Sequence, residues 1–93
     1  MLQITTNLSG SSNAVLTDID GEIIAIIKCR KKEVLNNKLI KAIGQHFVAT
    51  DVEIDDADCR ELTNQNNIHF SVNQLEDGLE SIRDFKLKVI PTY

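Results

Sequence analysis

An almost unbroken apolar run, Ile23-Ile24-Ala25-Ile26-Ile27, begins just after the pair Asp20-Gly21. Asp-Gly is favoured where a tight hairpin needs positive φ at its centre, so Ala14 to Asp18 and Glu22 to Cys29 read as two antiparallel strands. A strand with one wet face alternates apolar and polar residues, and this one does not. Ile23, Ala25 and Ile27 take one face, and Ile24 and Ile26 the other. Both faces therefore ask to be covered, in a chain of 93 residues with room for a single core.

The rest of the chain supplies the candidates. Leu2, Ile4 and Thr6 alternate in a first strand over 2–7, and Ser9-Gly10-Ser11-Ser12-Asn13 is a loop by composition. Past Cys29 the period changes. Leu35, Leu39, Ala42, Ile43, His46 and Phe47 fall at helical spacing within 33–47, with Gly44 on the polar side. Asn36 or Asn37 is a candidate N-cap, which would delay the helix to Lys38. Strand alternation resumes at Val48, Thr50, Val52 and Ile54. The segment 56–67 is polar and irregular, with Leu62 as a plug into the core. Ile68, Phe70 and Val72 mark a fifth strand. Asp77-Gly78 signals a second hairpin, with a short helix over 75–83 as the alternative. Phe85, Leu87 and Val89 mark the last strand, ended by Pro91, which cannot donate to a sheet ladder. The expected fold is α+β: a mainly antiparallel sheet of five to six strands with one amphipathic helix on one face, in the order βββαβββ. It forms a single domain over 1–93.

An apolar fraction of 42% with 26% charged residues excludes a disordered chain. No basic-then-apolar leader is present, and the longest apolar run is far short of the roughly 20 residues that cross a bilayer. With Cys29 and Cys59 read as two reduced thiols, the expectation is a cytoplasmic protein without membrane association.

One short motif points to chemistry. Val15-Leu16-Thr17-Asp18-Ile19-Asp20-Gly21 resembles the first motif of the haloacid dehalogenase family. The resemblance implies that Asp18 attacks a phosphate and Asp20 works as acid or base beside magnesium, with Asp55-Asp56 as the later metal-binding pair. It covers seven residues. Glu22 stands where that family has Thr, and an apolar strand follows where a helix is required. A hairpin turn is the simpler account of Asp18 and Asp20, and a magnesium-dependent phosphatase-like remnant is the third-ranked function. Cys29, His46, Cys59 and His69 form a Cys₂His₂ set that zinc would accept, but at separations lacking the short paired spacing of a zinc site. No metal, cofactor or catalysis is expected.

Charge is segregated instead. Lys28, Arg30, Lys31, Lys32, Lys38 and Lys41 stand against Glu33 alone within 28–41. Asp51, Glu53, Asp55, Asp56, Asp58 and Glu61 stand against Arg60 alone within 51–61. Blocks of this kind steer charged partners, and they also keep strand edges from aggregating. The leading expectation is a protein-binding module with an accessory or regulatory role, of the inhibitor, immunity or adaptor type. A basic partner would dock on Asp51, Glu53, Asp55, Asp56 and Asp58. The alternative is a nucleic-acid-associated protein that contacts phosphates through Lys28, Arg30, Lys31, Lys32, Lys38 and Lys41. Against it stand a net charge of −4 and the lack of aromatic residues among those lysines.

The second face of the apolar strand can be covered in two ways. The segment 56–67 can fold across it with Leu62, or two copies can pack sheet to sheet in a homodimer. The dimer is the expectation, with Ile24 and Ile26 in the interface and Lys86 and Lys88 as its polar rim.

Overall fold

The computed structural model describes residues 3–8, 10, 12–49, 51–54 and 59–90. Its elements are β1 (Gln3–Thr6), β2 (Ser12–Asp18), β3 (Ile23–Cys29), α1 (Asn36–Phe47), β4 (Asp51–Ile54), β5 (Cys59–Leu62), β6 (Asn67–Glu76) and β7 (Leu79–Ile90). Five strands form one curled antiparallel sheet in the spatial order β3-β2-β7-β6-β4, and β1 pairs with β5 in a small parallel sheet. The fold is α+β with one helix, in the expected order of three strands, helix, then strands. The short β5 is an additional strand, inside the segment expected to be irregular.

The two hairpins have different turns. At Asp77-Gly78 both residues have positive φ, 49° and 79°, which matches a two-residue turn to the twist of its strands and rules out the alternative helix over 75–83. At the first hairpin only Gly21 has positive φ, 87°. The turn is therefore the three-residue form, with Ile19 and Asp20 before a left-handed glycine. Asp18 closes it: its Oδ1 accepts the backbone N–H of Asp20 and of Glu22, both at 2.9 Å.

The helix boundaries differ from the sequence pattern at both ends. α1 begins at Asn36, and neither asparagine caps it; the N-cap is Leu35, without a side-chain bond. Asn36 Oδ1 instead accepts the Ile4 N–H at 2.9 Å, so the helix start is tied to β1. At the other end Val48 takes a left-handed conformation as C-cap, with φ 52°, and so cannot begin the next strand.

One face of the large sheet and the apolar side of α1 make the core. Leu16, Leu87 and Ile68 stand side by side across β2, β7 and β6, and Phe85 stands opposite Phe70. Leu35, Leu39 and Ile43 of α1 join the same fully buried cluster. α1 packs against both β3 and β4, the two ends of the curled sheet. Leu62 and Ile4 are fully buried in this same cluster. Leu62 is a core plug, as its sequence position suggested, but it closes the inner face. Residues 59–67 do not cross the outer one.

β1 fastens the stretch between β3 and α1. Thr6 N–H donates to Glu33 O at 2.9 Å, Lys32 N–H to Thr6 O at 3.0 Å, and Leu35 N–H to Ile4 O at 2.8 Å. The Thr6 hydroxyl accepts the Glu33 N–H at 2.8 Å and donates to Arg30 O. The basic turn Arg30-Lys31-Lys32 is thus held in a fixed place beside the end of β3.

Candidate binding surfaces

The apolar run of β3 splits in a way the alternation did not foresee. The β2–β3 register shifts between Leu16 and Thr17, where Leu16 faces Ala25 but Thr17 faces Ile23. Such a bulge places an extra residue in one strand and re-aims its side chain. Ile24 turns to pack half-buried against the core. Ile23 takes its place on the outer face, 59% exposed, beside Ile26 at 62%. The exposed pair is Ile23 and Ile26, rather than Ile24 and Ile26. A hollow next to them is lined by Val15, Thr17, Ile23, Lys88 and Ile90. Lys88 lies at its border, and Lys86 is cross-strand from Thr17.

The basic residues gather at the β3 end of the sheet. Lys28 and Arg30 are exposed at the end of β3, Lys31 and Lys32 in the turn, and Lys38 and Lys41 on the facing side of α1. Lys38 links the two elements: its Nζ donates to Lys28 O at 2.9 Å and lies 2.6 Å from Glu33 Oε1. Lys28, Arg30, Lys38 and Lys41 thus border adjoining hollows, with Lys31 and Lys32 exposed in the turn between the two elements.

The acidic residues stand at the opposite end. Asp51 and Glu53 are exposed on β4, while Val52 and Ile54 point inward. Leu75 and Glu80 lie beside them on the outer face. Asp55, Asp56 and Asp58 lie outside the described residues. One sheet therefore carries positive charge along one edge and negative charge along the other.

Asp18 has a structural task in its turn, and Asp20 is exposed at the tip. Cys29 is buried under α1, with its thiol donating to Ile27 O at 3.4 Å, whereas Cys59 is exposed on β5. Burial pushes the Cys29 thiol above its ordinary range, the Glu33 carboxylate adds to this, and Lys38 acts the other way. His46 is exposed against Phe47 on α1, and His69 is exposed on the outer face of β6. Among the described residues no three His, Cys, Asp or Glu side chains stand close enough together to hold a metal ion. No helix of the described residues is long and apolar enough to cross a membrane.

In comparison with known proteins, no protein-family model, no curated protein and no solved structure matches the chain.

Proposed function

We propose that the chain is a protein-binding module with an accessory or regulatory role and no chemical step of its own. The observation that carries this is the outer face of the sheet, which no described residue covers: Ile23 and Ile26 stand 59% and 62% exposed there, and Ile23 borders an apolar hollow. Leaving two isoleucines in water forgoes roughly 1.5–3 kcal/mol each, a cost that a partner would remove. The first partner of this face is a second copy. A two-fold axis between Ile23 and Ile26 seats Ile26 of each copy on the hollow beside Ile23 of the other, with Lys86 and Lys88 at the wet rim. At the far edge, Asp51 and Glu53 are the surface offered to a basic partner.

Sedimentation velocity at high micromolar concentration tests the self-association. The wild type is expected to sediment as a dimer, and Ile23→Lys as a folded monomer. A wild-type chain that remains monomeric there removes the dimer. Exchange of Asp51 and Glu53 for Asn and Gln should weaken capture of a basic partner and leave thermal stability equal or higher, because like charges have gone. Unchanged capture removes that surface.

A further inference from the structure

β3 ends the five-stranded sheet, so one row of its backbone groups has no strand beside it among the described residues. The Lys28 carbonyl accepts from Lys38 Nζ at 2.9 Å, so the Lys28 backbone turns outward, away from β2. The two-residue period of an antiparallel strand turns the Ile26 backbone the same way. Alongside this row, α1 forms the second wall of an open groove of about 290 Å³. Its floor is apolar, with Ile27 and Ala42, and its rim carries Ile26, Lys28, Lys38 and Lys41.

The charge on the rim selects the occupant. Lys38 is held by Glu33, but Lys28 and Lys41 form no ion pair among the described residues. A second copy of this edge would bring lysine against lysine, so the edge repels itself. Among the described residues no aromatic ring borders the groove, so the bases of a nucleic acid would have nothing to stack on. An extended acidic segment satisfies the edge, the floor and the rim together.

We propose that the groove between β3 and α1 takes an extended acidic segment of a partner protein, added as a further strand beside Ile26. One apolar side chain of that segment rests on Ile27 and Ala42, and its carboxylates meet the lysines of the rim, Lys28 and Lys41. Main-chain bonds to the open edge supply affinity, and the alternation of side chains supplies selectivity. This deepens the reading of the chain as a binding module, on the edge of β3 rather than its outer face. Ile26 borders both, whereas Ile23 borders only the outer hollow, so a change at Ile23 lets the two fail separately.

The test is fluorescence anisotropy of the full chain with a labelled peptide of alternating Glu and Val. Three further probes are used: the same peptide with Lys for Glu, the Glu peptide N-methylated at every second residue, and a labelled oligothymidylate. The Glu peptide should bind, and weaken as salt rises. Lys28→Glu combined with Lys41→Glu should weaken it by about tenfold or more, as two ion pairs turn repulsive. N-methylation should weaken it comparably, because it blocks edge bonds without altering the protein. The Ile23→Lys monomer should keep the peptide affinity of the wild type. The proposal falls if the Glu peptide does not bind at high micromolar concentration. It falls equally if the Lys or N-methylated peptide binds as well, or if the oligothymidylate binds more tightly. A wild-type dimer that does not bind the peptide sinks this inference alone, and a wild-type chain that is monomeric yet binds the peptide sinks only the dimer.

Discussion

Glu33 Oε1 lies 2.6 Å from Lys38 Nζ, while its other carboxylate oxygen accepts the Arg30 backbone N–H at 2.9 Å. One carboxylate thus joins the first turn of α1 to the basic turn before it, and the same lysine reaches on to Lys28 O.

This arrangement sets a pH dependence. The Lys38 hydrogen bond holds the Glu33 carboxyl below its ordinary value of 4.5; partial burial opposes this, and the Arg30 N–H adds to the lowering. A carboxyl lowered on folding favours the folded state above its unfolded-state pKa, and that contribution fades as pH falls through the folded value. Glu33→Gln should therefore be less stable than wild type at neutral pH, with the gap closing from about pH 4.5 downward. Urea midpoints measured across that range check this. A gap that does not change with pH would assign the loss to packing.

Gly44 offers a gain in stability. A Cβ built there meets Val52 Cγ2 at 3.7 Å and Ala49 O at 3.8 Å, which is ordinary contact. Gly in a helix interior costs roughly 0.5–1 kcal/mol relative to Ala. Gly44→Ala should raise the midpoint of thermal unfolding by a few degrees, read by circular dichroism. A lower midpoint would show that the α1–β4 contact has no room for a methyl group.

The two thiols should behave oppositely. Cys59 is exposed, whereas Cys29 is buried with its thiol kept protonated. A thiol reagent should label Cys59 promptly and Cys29 only as fast as the chain opens. Equal prompt labelling at both positions would contradict the packing of β3 under α1.

What could be read from the sequence was whatever depends on local pattern. Alternation gave most strands, helical spacing gave the core side of α1, and Asp77-Gly78 gave its turn because both φ preferences are intrinsic to those residues. The misread positions depend on distant partners. Asn36 has the chemistry of a cap, but β1 claims its side chain for the Ile4 N–H. β5 is polar at Arg60 and Glu61, and becomes a strand only because β1 lies alongside it. Ile24 and Ile23 exchange faces because of a bulge that no alternation rule anticipates. The basic surface was visible as composition, yet only the helix packing shows that Lys41 borders the same groove as Lys28.

The parallel pairing of β1 with β5 has a kinetic meaning. It joins Gln3 to Cys59 and Thr6 to Leu62, stretches more than half the chain apart, whereas β2–β3 and β6–β7 zip across short turns. Closing a long loop costs entropy that local hairpins avoid; the β2–β7 pairing spans a longer loop still, so β1 is expected to settle only after that pairing has brought Asn13 to Ile90. Leu62→Ala, at a cost of about 2–5 kcal/mol for a fully buried leucine, should then speed unfolding and scarcely slow refolding. Stopped-flow chevrons distinguish the two arms, and a change confined to the refolding arm would contradict this order. β1 then governs how long the native state persists, and the hairpins govern how quickly it is reached.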